Sequence, residues 1–289
     1  RAYIAIEQRN CYEYPSKVNM FRPSIQYPEY PFNELSNESN QVYDMVRKCF
    51  IRLGFDKENI GTKKWNPLGH LIKPGQNVFI KPNLVYDRNL SGDDIICVNT
   101  NPSIIAPIID YVIIALGESS RERHITVGNA PMQECDFDKL VDENGLRNLI
   151  EFYNSNGVPV KLVDCRCVTA KIESGYWFFL DQNTPNHIVS LNEWSEFETL
   201  NDKQLKRLRK GANDTNDLFE HHHRRVHEYA ITDYLLKCDV LINVPKPKLH
   251  KKAGVTISLK NIVGTCSRKE YLPHHMEGDA ETGRGDAYY

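Results

Sequence analysis

This 289-residue sequence predicts an α/β fold: an open, mostly parallel sheet with flanking helices and an inserted α+β subdomain. Three observations carry that expectation. Short apolar runs alternate with amphipathic stretches of helical length, and strands separated by helices require crossovers, which give parallel neighbours. The alternation stops near residue 167, where aromatic period-two segments begin. It resumes at Val226. Residues 1–166 and 226–289 are therefore expected to form the α/β domain, and 167–225 an inserted subdomain or lid.

The elements follow in chain order. Asn40–Leu53 places Val42, Met45, Val46, Phe50 and Leu53 at helical spacing, with Gly54 just past the end. Asn77-Val-Phe-Ile80 reads as a buried strand running into Lys81-Pro-Asn-Leu-Val85, where Pro82 stops it, so Lys81 and Asn83 fall at a strand's C-terminal end. Thr100-Asn-Pro102 opens a helix through Leu116 by a side-chain cap and an early proline, Pro107 is expected to kink it, and Gly117 closes it. His124–Gly128 is a second strand, Phe137–Val141 and Leu146–Tyr153 are amphipathic helices, and Val160–Val163 is a third strand. In the interrupted region, Tyr176–Leu180 and His187–Leu191 alternate as strands and Asp202–Lys210 reads as a basic helix. Beyond it come a helix near Ile231–Lys237, a strand at Val240–Val244 and a helix near Thr256–Val263.

Composition narrows the function. Lys and Arg number 36 against 38 Asp and Glu, a net charge of −2, so a general nucleic-acid coat is disfavoured. The apolar run Ser103–Leu116 contains Pro107 and Asp110 and falls short of the ~20 residues that span a bilayer, so a core helix is expected in place of an anchor. The first residues lack a secretory pattern, and a cytoplasmic protein is expected. Of eight cysteines only Cys165 and Cys167 lie close together, which gives neither a disulfide framework nor a cluster repeat. Dinucleotide, NTPase, serine-hydrolase and zincin signatures are missing as well.

The densest chemistry lies in Asn243–Gly264. From Lys246 to Lys269 there are seven Lys/Arg residues and no Asp or Glu. Such a field attracts an anion. Gly254 permits close backbone approach, Thr256 offers a hydroxyl, and the following helix offers free N–H groups. Lys246, Lys248 and His250 alternate and share one side of an extended segment. The expected anion site is Lys81, Asn83, Lys246, Thr256, Lys260 and Asn261, with Lys248 and His250 as catalytic residues. A second constellation, His223 and His227 four apart as if on one helical face, joined by His274 beside His275, Glu277 and Asp279, is a candidate divalent-metal centre.

Lys81-Pro-Asn-Leu-Val, Thr100-Asn-Pro-Ser, Val127-Gly-Asn-Ala-Pro and Asp239-Val-Leu-Ile-Asn-Val-Pro-Lys-Pro-Lys-Leu-His, continued by Gly254-Val-Thr and Leu259-Lys-Asn-Ile-Val-Gly, resemble the family called domain of unknown function 362. The resemblance runs from Val78 to His275 and implies a fold pattern without a reaction. That family often carries His where this chain has Asn101 and Asp where it has Asn129. Its members can carry ferredoxin-like modules, which implies an iron–sulfur protein as a partner. His250-Lys-Lys-Ala-Gly-Val-Thr-Ile-Ser-Leu-Lys260 is also similar to a motif of the nickel-pincer lactate racemases, where the histidine binds the cofactor's metal. That similarity implies racemase-like proton or hydride movement beside a carboxylate. Two functions stay open: an enzyme, isomerase-like or redox, acting on a small anion, and a non-catalytic binding or electron-transfer accessory protein.

Overall fold

The computed structural model describes residues 3–10, 13–210, 218–250, 252–278 and 285. The chain forms two compact units, Arg1–Asn129 with Cys135–Asp164 and Lys237–Asn261, and Ala130–Glu134 with Cys165–Leu236 and Ile262–Tyr289.

The first unit is built on four parallel strands, β1 (Val78–Pro82), β2 (Ile125–Asn129), β3 (Val160–Asp164) and β4 (Val240–Val244). Their spatial order is β4-β1-β2-β3. Registers are fixed by pairs such as Lys81 with Asn243 and Asn129 with Asp164. Helix α1 (Gln41–Leu53) is capped by Asn40, whose side chain accepts from Tyr43 N, and ends at Gly54 with φ 72°. Helix α2 (Pro102–Leu116) crosses from β1 to β2, with Asn101 accepting from Ser103 N. It continues through Pro107, which removes one backbone bond, the one an N–H there would have made to Ser103 O. With its 3₁₀ extension it is long and apolar enough to cross a membrane, yet 72% of its most apolar window is buried, as in a core helix. Helices α3 (Phe137–Asn144) and α4 (Leu146–Ser155) make the next crossover. At the crossing of β2 and β3 only glycine fits, since a Cβ on Gly128 would lie 2.3 Å from Val163 Cγ2. The mixed α/β architecture agrees with the sequence expectation.

The second unit is a set of small antiparallel sheets. Val168–Glu173 pairs with Tyr176–Asp181, and Val226–Thr232 pairs with both Asn186–Ser190 and His222–His223. These pairings explain why the unit is larger than 167–225. Residues 226–232 are a strand of its central sheet, and His275–Met276 pairs with Leu208–Arg209. Three local expectations also change. The helix expected over 202–210 is one turn, Asp202–Leu205; 231–237 is the end of a strand plus the turn Asp233–Leu236; and the last helix begins only at Ser258. In each case strand pairing claims residues whose local pattern also suits a helix.

Candidate functional site

In an open parallel sheet, ligands gather beyond the C-terminal strand ends where the strand order reverses. Here the chain moves from β1 to β2 and β3, then returns on β1's other side as β4. The reversal lies between β1 and β4, whose ends carry Lys81 and Asn243 side by side.

Lys81 is wholly buried. Its ammonium donates to Pro82 O at 3.0 Å, to Asn261 Oδ1 at 3.0 Å and to Asn129 Oδ1. Asn261 Nδ2 donates back to Lys81 O at 3.1 Å and to Asn243 Oδ1 at 2.6 Å, and Asn243 Nδ2 donates to Ser258 O at 2.9 Å. All three ammonium protons are therefore directed at internal oxygens, so Lys81 and Asn261 brace the strand ends and do not present polar atoms to an anion. The nearby Thr100 works the same way: its hydroxyl donates to Val244 O at 2.9 Å and accepts from Asn83 N at 2.9 Å. Asn83 is half-buried at this junction, and its backbone, not its side chain, makes these bonds.

Past β4 the chain makes a hairpin, Lys248–His250 against Gly254–Thr256. Lys248 pairs with Thr256 and His250 with Gly254, whose φ of 68° suits the turn. Alternation puts Lys248, His250 and Thr256 on one face. Burial, joined by the positive charges of Lys246 and Lys260, pushes the Lys248 ammonium down to about 8. Like charges disfavour a further proton, so Lys246 and Lys260 add to the effect of burial. Lys246, Lys248 and Lys260 make neither an ion pair nor a hydrogen bond among the described residues; the Lys246 ammonium lies 5.7 Å from the Tyr14 ring centroid. Tyr14 lies far away in sequence, and no local signal could have announced it.

His250 Nδ1 accepts from Lys252 N at 3.2 Å and Ala253 N at 3.3 Å, while Lys251 lies outside the described residues. With the Nδ1 lone pair so engaged, the proton of a neutral ring sits on Nε2. The expected helix terminus is weaker than supposed, because Ser258–Ile262 spans five residues.

The model of the family described as Domain of unknown function (DUF362) matches residues 165–284. The DUF362 match takes in β4, the hairpin and Asn261, and supports that kinship over the C-terminal part of the chain; Lys81 and Asn83 precede it. No curated protein and no solved structure matches the chain.

The histidine constellation is arranged differently from the expectation. Residues 222–227 form a tight β-hairpin, not a helix, so His222 faces His227 while His223 pairs with Val226 on the opposite side. His222 and His227 are both buried, with their Nδ1 atoms 3.4 Å apart. His222 Nε2 donates to Tyr271 O at 2.7 Å, and His227 Nε2 lies 3.3 Å from Glu198 Oε2. Burial pushes the His222 imidazole down to about 4. His274 and His275 line a separate cavity of about 530 Å³ with Glu196, Phe197 and Met276. Among the described residues no group of three or more His, Cys, Asp and Glu is disposed to hold a metal ion, and Asp279 lies outside them.

Proposed function

We propose that this protein binds a small anion, a carboxylate or phosphate, on the hairpin face that follows β4. The observation that carries this reading is the trio Lys246, Lys248 and Lys260, three cations with no carboxylate partner among the described residues. Charge-assisted contacts to such an anion contribute about 1.5–3 kcal/mol each once water is displaced. His250 adds an Nε2–H donor, and Thr256, cross-strand from Lys248, adds a hydroxyl.

The pattern shared with the lactate racemases centres on the same hairpin and supports carboxylate chemistry there. Metal ligation by His250 fits the side chain less well. With two backbone N–H groups on Nδ1, a metal on Nε2 would leave the ring without a proton unless the imidazole turned over. Donation to an anion needs no such rearrangement.

Calorimetric titration with phosphate and with pyruvate tests the reading. Binding that weakens at least tenfold in the Lys246→Ala, Lys260→Ala double variant supports it; affinity unchanged in that variant overturns it. An absorption spectrum and metal analysis of the same sample separate an anion-handling enzyme from an electron-transfer accessory, which would carry a visible chromophore.

A further inference from the structure

We propose that Lys248 is a nucleophilic amine that condenses with the carbonyl carbon of a small 2-oxo acid, whose carboxylate is held by Lys246 and Lys260. This rests on the anion reading above and assigns the bound molecule a second functional group.

The geometry points there through an inequality among three cations. Lys260 is exposed. Lys246 is half-buried and lies beside the Tyr14 ring, whose face tolerates a cation. Lys248 is also half-buried, is acted on by both of the others, and has no acceptor among the described residues. Three like charges with no counter-charge relax most readily when the most enclosed one gives up its proton. With a value of about 8, roughly a quarter of the Lys248 amine is neutral at pH 7.5, against roughly one part in a thousand for a solvated lysine.

The step balances without an oxidant or reductant. The Lys248 Nζ lone pair attacks the carbonyl carbon, the C=O π electrons move to oxygen, and a proton passes from nitrogen to that oxygen to give a carbinolamine. The C–O bond then breaks, the nitrogen lone pair forms C=N, and the nitrogen's remaining proton leaves with the hydroxyl as water. His250, two residues on and on the same face, offers its Nε2–H as a hydrogen bond to the departing hydroxyl. The carboxylate held by Lys246 and Lys260 offsets the positive charge that builds on nitrogen as the hydroxide departs, before the proton follows it.

Reductive trapping decides it. The full chain is incubated with pyruvate and cyanoborohydride from pH 6.5 to 9.5 and mapped by peptide mass spectrometry. The expected result is one pyruvate-derived alkyl group on Lys248, formed on the order of tenfold or more faster at pH 7.5 than on other lysines. Its rate should rise with a midpoint near 8 and fall when phosphate competes. In Lys246→Ala the midpoint should move upward, which a lysine that is merely accessible would not do. An adduct spread evenly over surface lysines, or a rate at Lys248 unaffected by phosphate, overturns the proposal. Lys248→Arg keeps the charge and separates the two readings. If both wild type and this variant bind pyruvate calorimetrically while wild type gives no Lys248 adduct, the imine is wrong and the anion site stands; if neither binds, both fail.

Discussion

The two units solve the problem of a stable interior in opposite ways. The first surrounds its parallel sheet with a continuous apolar core drawn from α1, α2, α3, α4 and the strands, including Trp65, Ile80, Ile109 and Leu149. Among the acids it buries, Asp110 on α2 is wholly enclosed between Tyr43 and Tyr153, with hydroxyl contacts of 2.7 and 2.8 Å. In the second unit, Leu205, Leu208 and Leu218 form a small cluster, and the fully buried positions include His222, His227 and Thr232 as well as Cys165 and Ala230. An apolar interior is insensitive to solution conditions except at its few ionisable groups, and those groups differ between the units: a carboxyl, Asp110, in the first and an imidazole, His222, in the second. Burial then acts with opposite sign on the two. It pushes the Asp110 carboxyl up to about 7 and the His222 imidazole down to about 4.

The largest expected effect breaks the comparison at its polar centre. Lys81→Ala strips the donor from buried oxygens of Pro82, Asn129 and Asn261. A loss of about 3 kcal/mol or more is expected, seen as early unfolding of the first unit in urea while the second unit's transition stays put. A loss under about 1 kcal/mol would mean that the network is dispensable.

Next comes pH, which sets the units against each other. Asp110 holds its proton in the folded state after the unfolded chain has lost it, so its contribution falls as pH rises from about 4 to about 7. His222 stays neutral in the folded state where the unfolded chain is protonated, so its contribution is lost as pH falls from about 6.5 to about 4. Each slope approaches about 1.4 kcal/mol per pH unit. Calorimetric scans between pH 7 and 4.5 should therefore show a downward His222-dependent shift in the second unit and an upward Asp110-dependent one in the first. Asp110→Asn should remove the latter and raise stability at pH 8, since the amide keeps an acceptor for Tyr43 and carries no charge. Parallel shifts of the two units in wild type and in Asp110→Asn would dismiss this account.

Smaller effects sharpen the contrast in packing. Gly128→Ala forces a methyl against Val163 and should cost about 1–3 kcal/mol by urea unfolding. Phe178→Ser in the second unit's hairpin, where Phe178 is 50% exposed, should change stability by less than about 0.5 kcal/mol.

Legibility from sequence follows the same divide. In the first unit, apolar periodicity and local punctuation agree, so α1 with Asn40 and Gly54, and the four strands, can be read to within a residue or two. In the second, polar runs such as Glu220–His227 carry no period of their own, and pairing with Val226–Thr232 decides their form. At the candidate site the sign of the field is legible and its internal division is not. Alternation finds Lys248 and His250, but only burial separates the bracing Lys81 and Asn261 from the half-buried Lys246 and the exposed Lys260. Nothing in a sequence marks which lysine will be enclosed.

The return of β4 to the flank of β1 has a kinetic consequence. Val78 meets Val240 only after the whole second unit's long middle segment has been made, so one edge of β1 stays open through most of synthesis. Closing so long a loop is entropically slow, and an unpaired apolar strand is a site for intermolecular association in the interval. Because Asn243 and Asn261 arrive with that same late segment, the Lys81 ammonium stays hydrated on the nascent chain until they do. Desolvation of Lys81 is thus timed to the last strand, and a charge at the open edge discourages premature pairing with the wrong chain.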